Sequence, residues 1–314
     1  MSSHSNKKKN KPGPIFGPLV FNVYKPEGMT STDVVRHFKH HLPKGFGKIG
    51  HFGTLDPFAD GVLLIAIGQA PRFNNYIHEK YPKTYKARGI LGIESPTGDL
   101  TGDGGENKEV ACPEFSDETL SEIIQSFLGE YEQSPPAFSA TKHKGKPLYE
   151  WAREGVIIEK PPVLRNIVHI ELLSREGLEV EFLVTASSGT YIRVLFEDIA
   201  KKLGTHGALK NLERVSIGPA ISSNALKSAD WPKRDEDFDI KKIGCPVDDF
   251  LNYAKIELSL VMATKFFNGL TMHQDLVDEY YWVYYEGQLL GLGQVEGNVL
   301  RSRVGFGIQP VEKN

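Results

Sequence analysis

Cysteine is nearly missing: Cys112 and Cys245 are the only two among 314 residues. Two thiols without metal-ligand spacing argue against a disulfide scaffold and against a thiolate metal site. Long hydrophobic runs are missing as well. The apolar stretch from Gly61 to Gly68 falls far short of the ~20 residues that span a bilayer. No apolar segment follows the N-terminal lysines, so no secretory leader is expected. Strong charge is absent too: the formal net charge is −3, which supplies no global field to steer a nucleic acid. There is no phosphate-binding glycine loop and no metal-ligating cluster. These absences predict a cytoplasmic globular protein of about two domains.

What is present is unevenly spread. From Gly244 onward there are nine acidic residues and five basic ones, leaving the rest of the chain near neutral. Any nucleic-acid surface must therefore be a local basic patch. Residues 1–18 carry Lys7, Lys8, Lys9 and Lys11 and read as a disordered basic tail by composition. Leu19 to Tyr24 reads as a strand, followed by a helix capped by Thr30, Ser31 or Thr32 and burying Val34, Val35 and Phe38. Thr84 to Leu91 alternates as a second strand. Ser116 starts a helix through Leu120, Ile123, Ile124 and Phe127 that Gly129 is expected to end. Leu178, Val180, Phe182, Val184 and Ala186 alternate as a strand, and Thr190 to Leu203 as the next helix. The charged residues from 231 to 249 read as a linker. Beyond them two β-rich runs meet at Glu286-Gly287, a hairpin signal. Without a βαβ rhythm, the fold class is α+β with a mostly antiparallel sheet and a small C-terminal β-domain.

The most informative stretch runs from Gly50 to Leu64, GHFGTLDPFADGVLL. Pro57 fixes its own φ and biases Asp56 away from the α region. Gly53 and Gly61 permit turns that other residues resist. An isolated Leu-Asp-Pro is an ordinary turn, and a capping aspartate would suffice to explain it. A carboxylate held this rigidly in front of a core strand is also suited to chemistry. The complete string resembles the signature of the TruB family of pseudouridine synthases, in which this aspartate is catalytic.

Four further segments resemble that family, in its order. They are Tyr24 to Ser31 (a Lys-Pro-x-Gly-x-Thr-Ser motif), Lys83-Thr84-Tyr85, Pro135 to Gly155, and Ser188 to Arg193 with Leu212-Glu213-Arg214. The resemblance implies a pseudouridine synthase fold over residues 19–230, with a thumb insertion at about 133–160, and a PUA-like domain at 250–314. It implies isomerisation of the uridine at position 55 in the T-loop of tRNA. No cofactor or metal is expected, because the reaction exchanges a C1′–N1 bond for a C1′–C5 bond without redox change. The expected partner is the T-arm stem-loop of tRNA, with no membrane, no required protein partner and a monomeric state.

Asp56 can attack C1′ or remove a ribose proton; the residues leave both routes open. A carboxylate buried against RNA protonates unless a cation holds it ionised. The resemblance implies that Arg193 is this partner; a surface arginine at a helix start is the alternative, which the unfavourable dipole at a first-turn position argues against. By resemblance, Tyr85 stacks on the uracil and assists proton removal at C5, though a strand tyrosine also suits core packing. His51, otherwise a turn histidine, is implied by the same resemblance to fill the stack left by the extruded uridine. Leu212 walls the base pocket or is a core leucine, and Tyr191 supports the site. Lys25, Lys142, Lys144, Lys146 and Arg153 are the expected RNA-binding residues. The chain departs from the family at Ser95-Pro96-Thr97-Gly98-Asp99, which keeps only the second half of a Thr-Asp-Thr-x-Asp motif. Rival readings are a guide-RNA-dependent, dyskerin-like synthase, an RNA-folding chaperone with incidental catalysis, and a glycoside hydrolase, which would need a second carboxylate such as Asp60.

Overall fold

A run of alternating side chains organises the centre of the molecule. In the computed structural model, which describes residues 16–101, 104–234 and 238–311, strand β3 (Asp60–Gly68) is buried along nearly its whole length. Val62, Leu64 and Ala66 join one core cluster, while Leu63, Ile65 and Ile67 join another. Period-two alternation thus feeds two cores, as expected of a strand covered on both faces. The basic tail expected at residues 1–18 lies largely outside the described residues, and all four of its lysines do.

Around β3 runs a ten-stranded sheet. Its path passes from β1 (Leu19–Lys25) through β3, β8 (Gly207–Ile217), β4 (Lys83–Leu91), β7 (Glu179–Ala186) and β6 (Val163–Glu176) to β5 (Gly129–Gln133). Strand β2 (Lys48–Phe52) also pairs with β3. Among these pairings only β8 with β3 is parallel, at Glu213–Asp60 and Arg214–Gly61. The sheet is therefore mixed and mostly antiparallel, and the class is α+β, as the sequence predicts.

Helix α1 (Ser31–His41) is capped by Thr30, which forms a capping box with Asp33, satisfying two otherwise orphan donors. The next helices are α2 (Asn74–Lys80), α3 (Asp117–Gln125), α4 (Leu148–Arg153) and α5 (Ile192–Lys202). Helix α3 stops four residues before Gly129. Ser126 caps it, Phe127 turns into the core edge-on to Tyr131, and Gly129 at φ +92° opens β5 instead. Leu178, expected to point inward, is 42% exposed because it sits in the tight turn entering β7.

The segment read as a linker carries packed structure. Trp231, Ile240 and Val247 are buried, and Cys245–Pro246 pairs with β1. Its polar composition hides these three apolar anchors, and Phe250 is buried just beyond it. The C-terminal β-sheet has five strands and includes the expected Tyr280–Tyr285 and Gln288–Glu296 hairpin, with Glu286 and Gly287 at φ +47° and +69°. Positive φ at both central residues is the geometry of a type I′ turn. This sheet packs on the larger one: Trp282 is fully buried 5.2 Å from Phe73 and shares a core with Val20 and Val62.

Candidate active site

Asp56 opens a β-turn between β2 and β3, closed by Ala59 N–H donating to the Asp56 carbonyl at 3.2 Å. Pro57 takes the second turn position, where its fixed φ fits. Three anchors hold the turn. Ser31 Oγ accepts from Leu55 N–H at 2.9 Å, Gly28 N–H donates to Pro57 O at 2.8 Å, and Lys25 Nζ donates to Pro57 O at 3.3 Å. Gly61 follows at φ +100°, where a Cβ would lie 2.3 Å from the Arg214 carbonyl. Only glycine allows this close parallel approach of β3 and β8.

Arg193, in the first turn of α5, is 4% exposed. Its Nε donates to Asp56 Oδ2 at 2.8 Å, Nη2 to Phe138 O at 3.0 Å, and Nη1 to Thr97 O. Asp99 Oδ2 stands 3.9 Å from Nη1. The guanidinium thus joins the Asp56 loop, the retained half of the Ser95–Asp99 motif and the segment expected to form the thumb. The guanidinium fork donates to all three at once.

Two clefts meet at Asp56. One, of about 440 Å³, is lined by Tyr85, Lys83, Ser188, Tyr191, Leu212 and Arg214. The other, of about 490 Å³, is lined by His51, Phe138, Lys142, Tyr149, Arg153 and Arg193. Tyr85 and Leu212 are nearly buried, at 8% and 6%, in the same apolar cluster as Leu55. Each is both a core residue and part of the cleft wall. Tyr191 Oη lies 3.0 Å from Thr141 Oγ1 of the thumb, and Gln133 grips the Tyr191 backbone on both sides. On β2, the half-buried His51 has an Nδ1 with no hydrogen-bond partner. Burial, then Arg214 and Lys83, push its pKa below the usual histidine range, so the ring is neutral.

Two of the expected RNA-binding lysines are engaged within the chain itself. Lys25 is fully buried, and its ammonium donates to the carbonyls of Pro26, Met29 and Pro57. Burial lowers its pKa from 10.5 to about 8. Its work is to fasten the Asp56 turn, because the strand end carries it under the loop. Lys146 is half-buried, 2.5 Å from Glu154 and 4.5 Å over the Trp151 ring, so its charge is already answered. Lys142, Lys144 and Arg153 are exposed on the thumb, Lys144 at a hairpin tip with φ +49°.

Two buried cations were not among the residues assigned to the site. Arg214 donates to the carbonyls of Val62, Thr54 and Gly53 and faces the Tyr85 hydroxyl. Lys83 Nζ donates to Ser188 Oγ at 2.9 Å and lies 3.3 Å from His78 Nδ1. Both belong to matched motifs, Lys-x-Tyr and Leu-Glu-Arg. The nearby glycines were a usable signal, since a Cβ at Gly53 would lie 2.9 Å from Lys83 Nζ.

Comparison with known proteins agrees with this geometry. The model of the TruB family pseudouridylate synthase N-terminal domain matches residues 39–192. "tRNA pseudouridine synthase B" of Thermosipho melanesiensis is 35% identical over 289 residues, covering 88% of this chain and 91% of that protein. The protein of the same name from Aquifex aeolicus is 37% identical, covering 88% and 96% respectively. Among solved structures, a chain of a Cbf5–Nop10–Gar1 complex superposes with TM-score 0.66 at 22% identity, covering 95% of this chain and 92% of its own, a likeness of fold. With an aspartate loop, a buried arginine and a cleft tyrosine assembled as that family's motifs imply, this chain belongs to the TruB family of pseudouridine synthases.

Proposed function

We propose that this chain converts uridine to pseudouridine at position 55 in the T-loop of tRNA, acting in the cytoplasm as a monomer without a guide RNA or protein partner. The observation that carries the reading is the Asp56–Arg193 pair at 2.8 Å, set where the two clefts meet beside Tyr85. The extruded uracil enters the cleft of Tyr85 and Leu212, and stacking on the tyrosine contributes ~1–3 kcal/mol. Asp56 either attacks C1′ or removes a ribose proton, and the C1′–N1 bond breaks. The uracil turns and C5 bonds to C1′, either displacing the Asp56 carboxylate from that carbon or as Asp56 returns the proton to the ribose; the C5 proton is then lost and N1 gains one, with Tyr85 the candidate to assist. Arg193 orients the Asp56 carboxylate through the 2.8 Å contact from its Nε. Residues 19–230 would form the catalytic domain, with the thumb at 133–160, and 250–314 a PUA-like domain.

The thumb supports stand-alone action. Its Phe138, Ser139 and Ala140 form part of the cleft wall, so the chain itself can close over a single RNA hairpin. Purified protein incubated with a bare T-arm stem-loop tests this. Pseudouridine at the T-loop uridine is expected; no product without a guide ribonucleoprotein would move the assignment to the guided branch.

A further inference from the structure

Three of the buried cations near Asp56 each donate to three acceptors. Arg193 faces carboxylates, while Arg214 and Lys25 each donate to three carbonyls. Lys83 differs. It is 5% exposed, and its two polar neighbours are neutral: Ser188 Oγ at 2.9 Å and His78 Nδ1 at 3.3 Å. Burial, then the Arg214 guanidinium, lower its pKa to about 7. An isolated buried ammonium is costly, and without an anion it sheds its proton.

A second cation reaches the same turn from β6. Arg165 Nη1 donates to Ser188 O at 3.3 Å. The guanidinium stands over Gly189, where a Cβ would lie 3.1 Å from both terminal nitrogens. Its Nε is buried and has no hydrogen-bond partner. Among the described residues no carboxylate pairs with Lys83 or Arg165. Lys83, Ser188 and Gly189 line the same cleft as Asp56 and Tyr85. Gly189, at φ +84°, keeps the turn bare of any side chain.

We infer that Lys83 and Arg165, meeting at the Ser188–Gly189 turn, form a clamp for a backbone phosphodiester next to the extruded uridine. A ribose whose C1′ lies at Asp56 carries its phosphates within a sugar's reach, so the anion arrives with the substrate. A base edge offers only neutral acceptors and would leave two cations unanswered. A phosphodiester supplies one full charge and oxygens for both a guanidinium fork and an ammonium. The inference rests on the RNA-uridine reading above and adds a site to it.

The test uses the full chain and T-arm stem-loops carrying one uncharged methylphosphonate, placed 5′ or 3′ of the target uridine. For the wild type, one of the two replacements should weaken binding about tenfold. It should also shallow the slope of log K against log salt by about 0.7–0.9. Lys83→Met and Arg165→Gln should weaken binding of unmodified RNA to a similar degree. In each variant the same methylphosphonate should then cost less than twofold, since that contact is already gone. If Lys83→Met does not fold, Arg165→Gln carries the cycle alone. A full tenfold penalty persisting in the variants, or no penalty at either linkage in the wild type, overturns the clamp. Pseudouridine formation on unmodified RNA is scored separately. Wild-type product with an additive cycle sinks the clamp alone, binding with a coupled cycle but no product sinks the functional reading alone, and no RNA binding sinks both.

Discussion

Replacing Arg193 by methionine should cost about 3 kcal/mol of folding stability and abolish pseudouridine formation. The magnitude follows from what the side chain leaves behind. Removing one partner of a buried ion pair costs about 3–5 kcal/mol, because the other charge stays buried. Asp56 is 36% exposed on its side chain and can be rehydrated in part, which argues for the low end. Asp99 is only 8% exposed and cannot, and the Thr97 and Phe138 carbonyls also lose a charged donor. Arg193→Lys keeps the charge without the fork and should recover only part of the loss. Urea unfolding reads the effect as a shifted midpoint at constant slope. Adding Asp99→Asn to Arg193→Met should restore some stability, since the stranded charge is removed. If Arg193→Met stayed within about 0.5 kcal/mol of the wild type, the guanidinium would not be the electrostatic keystone proposed.

Three further outcomes follow from the same geometry. Gly61→Ala should cost more than about 3 kcal/mol or prevent soluble expression, because a Cβ would meet the Arg214 carbonyl at 2.3 Å with φ at +100°; normal thermal melting would contradict this. Lys25→Met should destabilise by about 3 kcal/mol, as three carbonyls lose a charged donor, yet leave the salt slope of RNA binding unchanged; a slope lowered by about 0.7–0.9 would return Lys25 to the RNA surface. His78 is held neutral, its pKa lowered from 6.5 to about 4 by burial and then by Lys83 and Arg214. The unfolded chain therefore binds more protons between those values, and stability falls as pH drops from 6.5 toward 4. In His78→Gln that part of the acid slope, up to about 3 kcal/mol, should disappear in urea unfolding followed across pH; an unchanged slope would place the effect elsewhere.

Legibility in the sequence tracked how local each signal was. The Asp56 turn was readable because Pro57, Gly53 and Gly61 constrain neighbouring backbone directly. The alternating strands at 84–91 and 178–186 were readable because period two needs no tertiary knowledge, except at Leu178, where the strand had not yet begun. Arg193 was legible through the resemblance of Ser188 to Arg193 to the family motif, with its place as a cation at the unfavourable end of a helix in support. Lys25 and Lys83 stand in matched motifs, but nothing local in the sequence marks them as buried. Their burial depends on loops arriving from Pro57 and from Ser188, more than thirty and one hundred residues away. Residues 231–249 misled for the opposite reason, because a few anchors such as Trp231 and Val247 outweigh many exposed charges. The end of α3 was missed by four residues, since a glycine can open a strand as readily as it closes a helix.

The central claim is that Asp56 performs the isomerisation on a T-loop uridine. The direct measurement is mapping pseudouridine in a T-arm stem-loop after incubation with wild-type protein and with Asp56→Asn, alongside binding of both to the same RNA. Product is expected at the single T-loop position from the wild type, and RNA binding without product from the variant. Product from Asp56→Asn at the wild-type rate would contradict it.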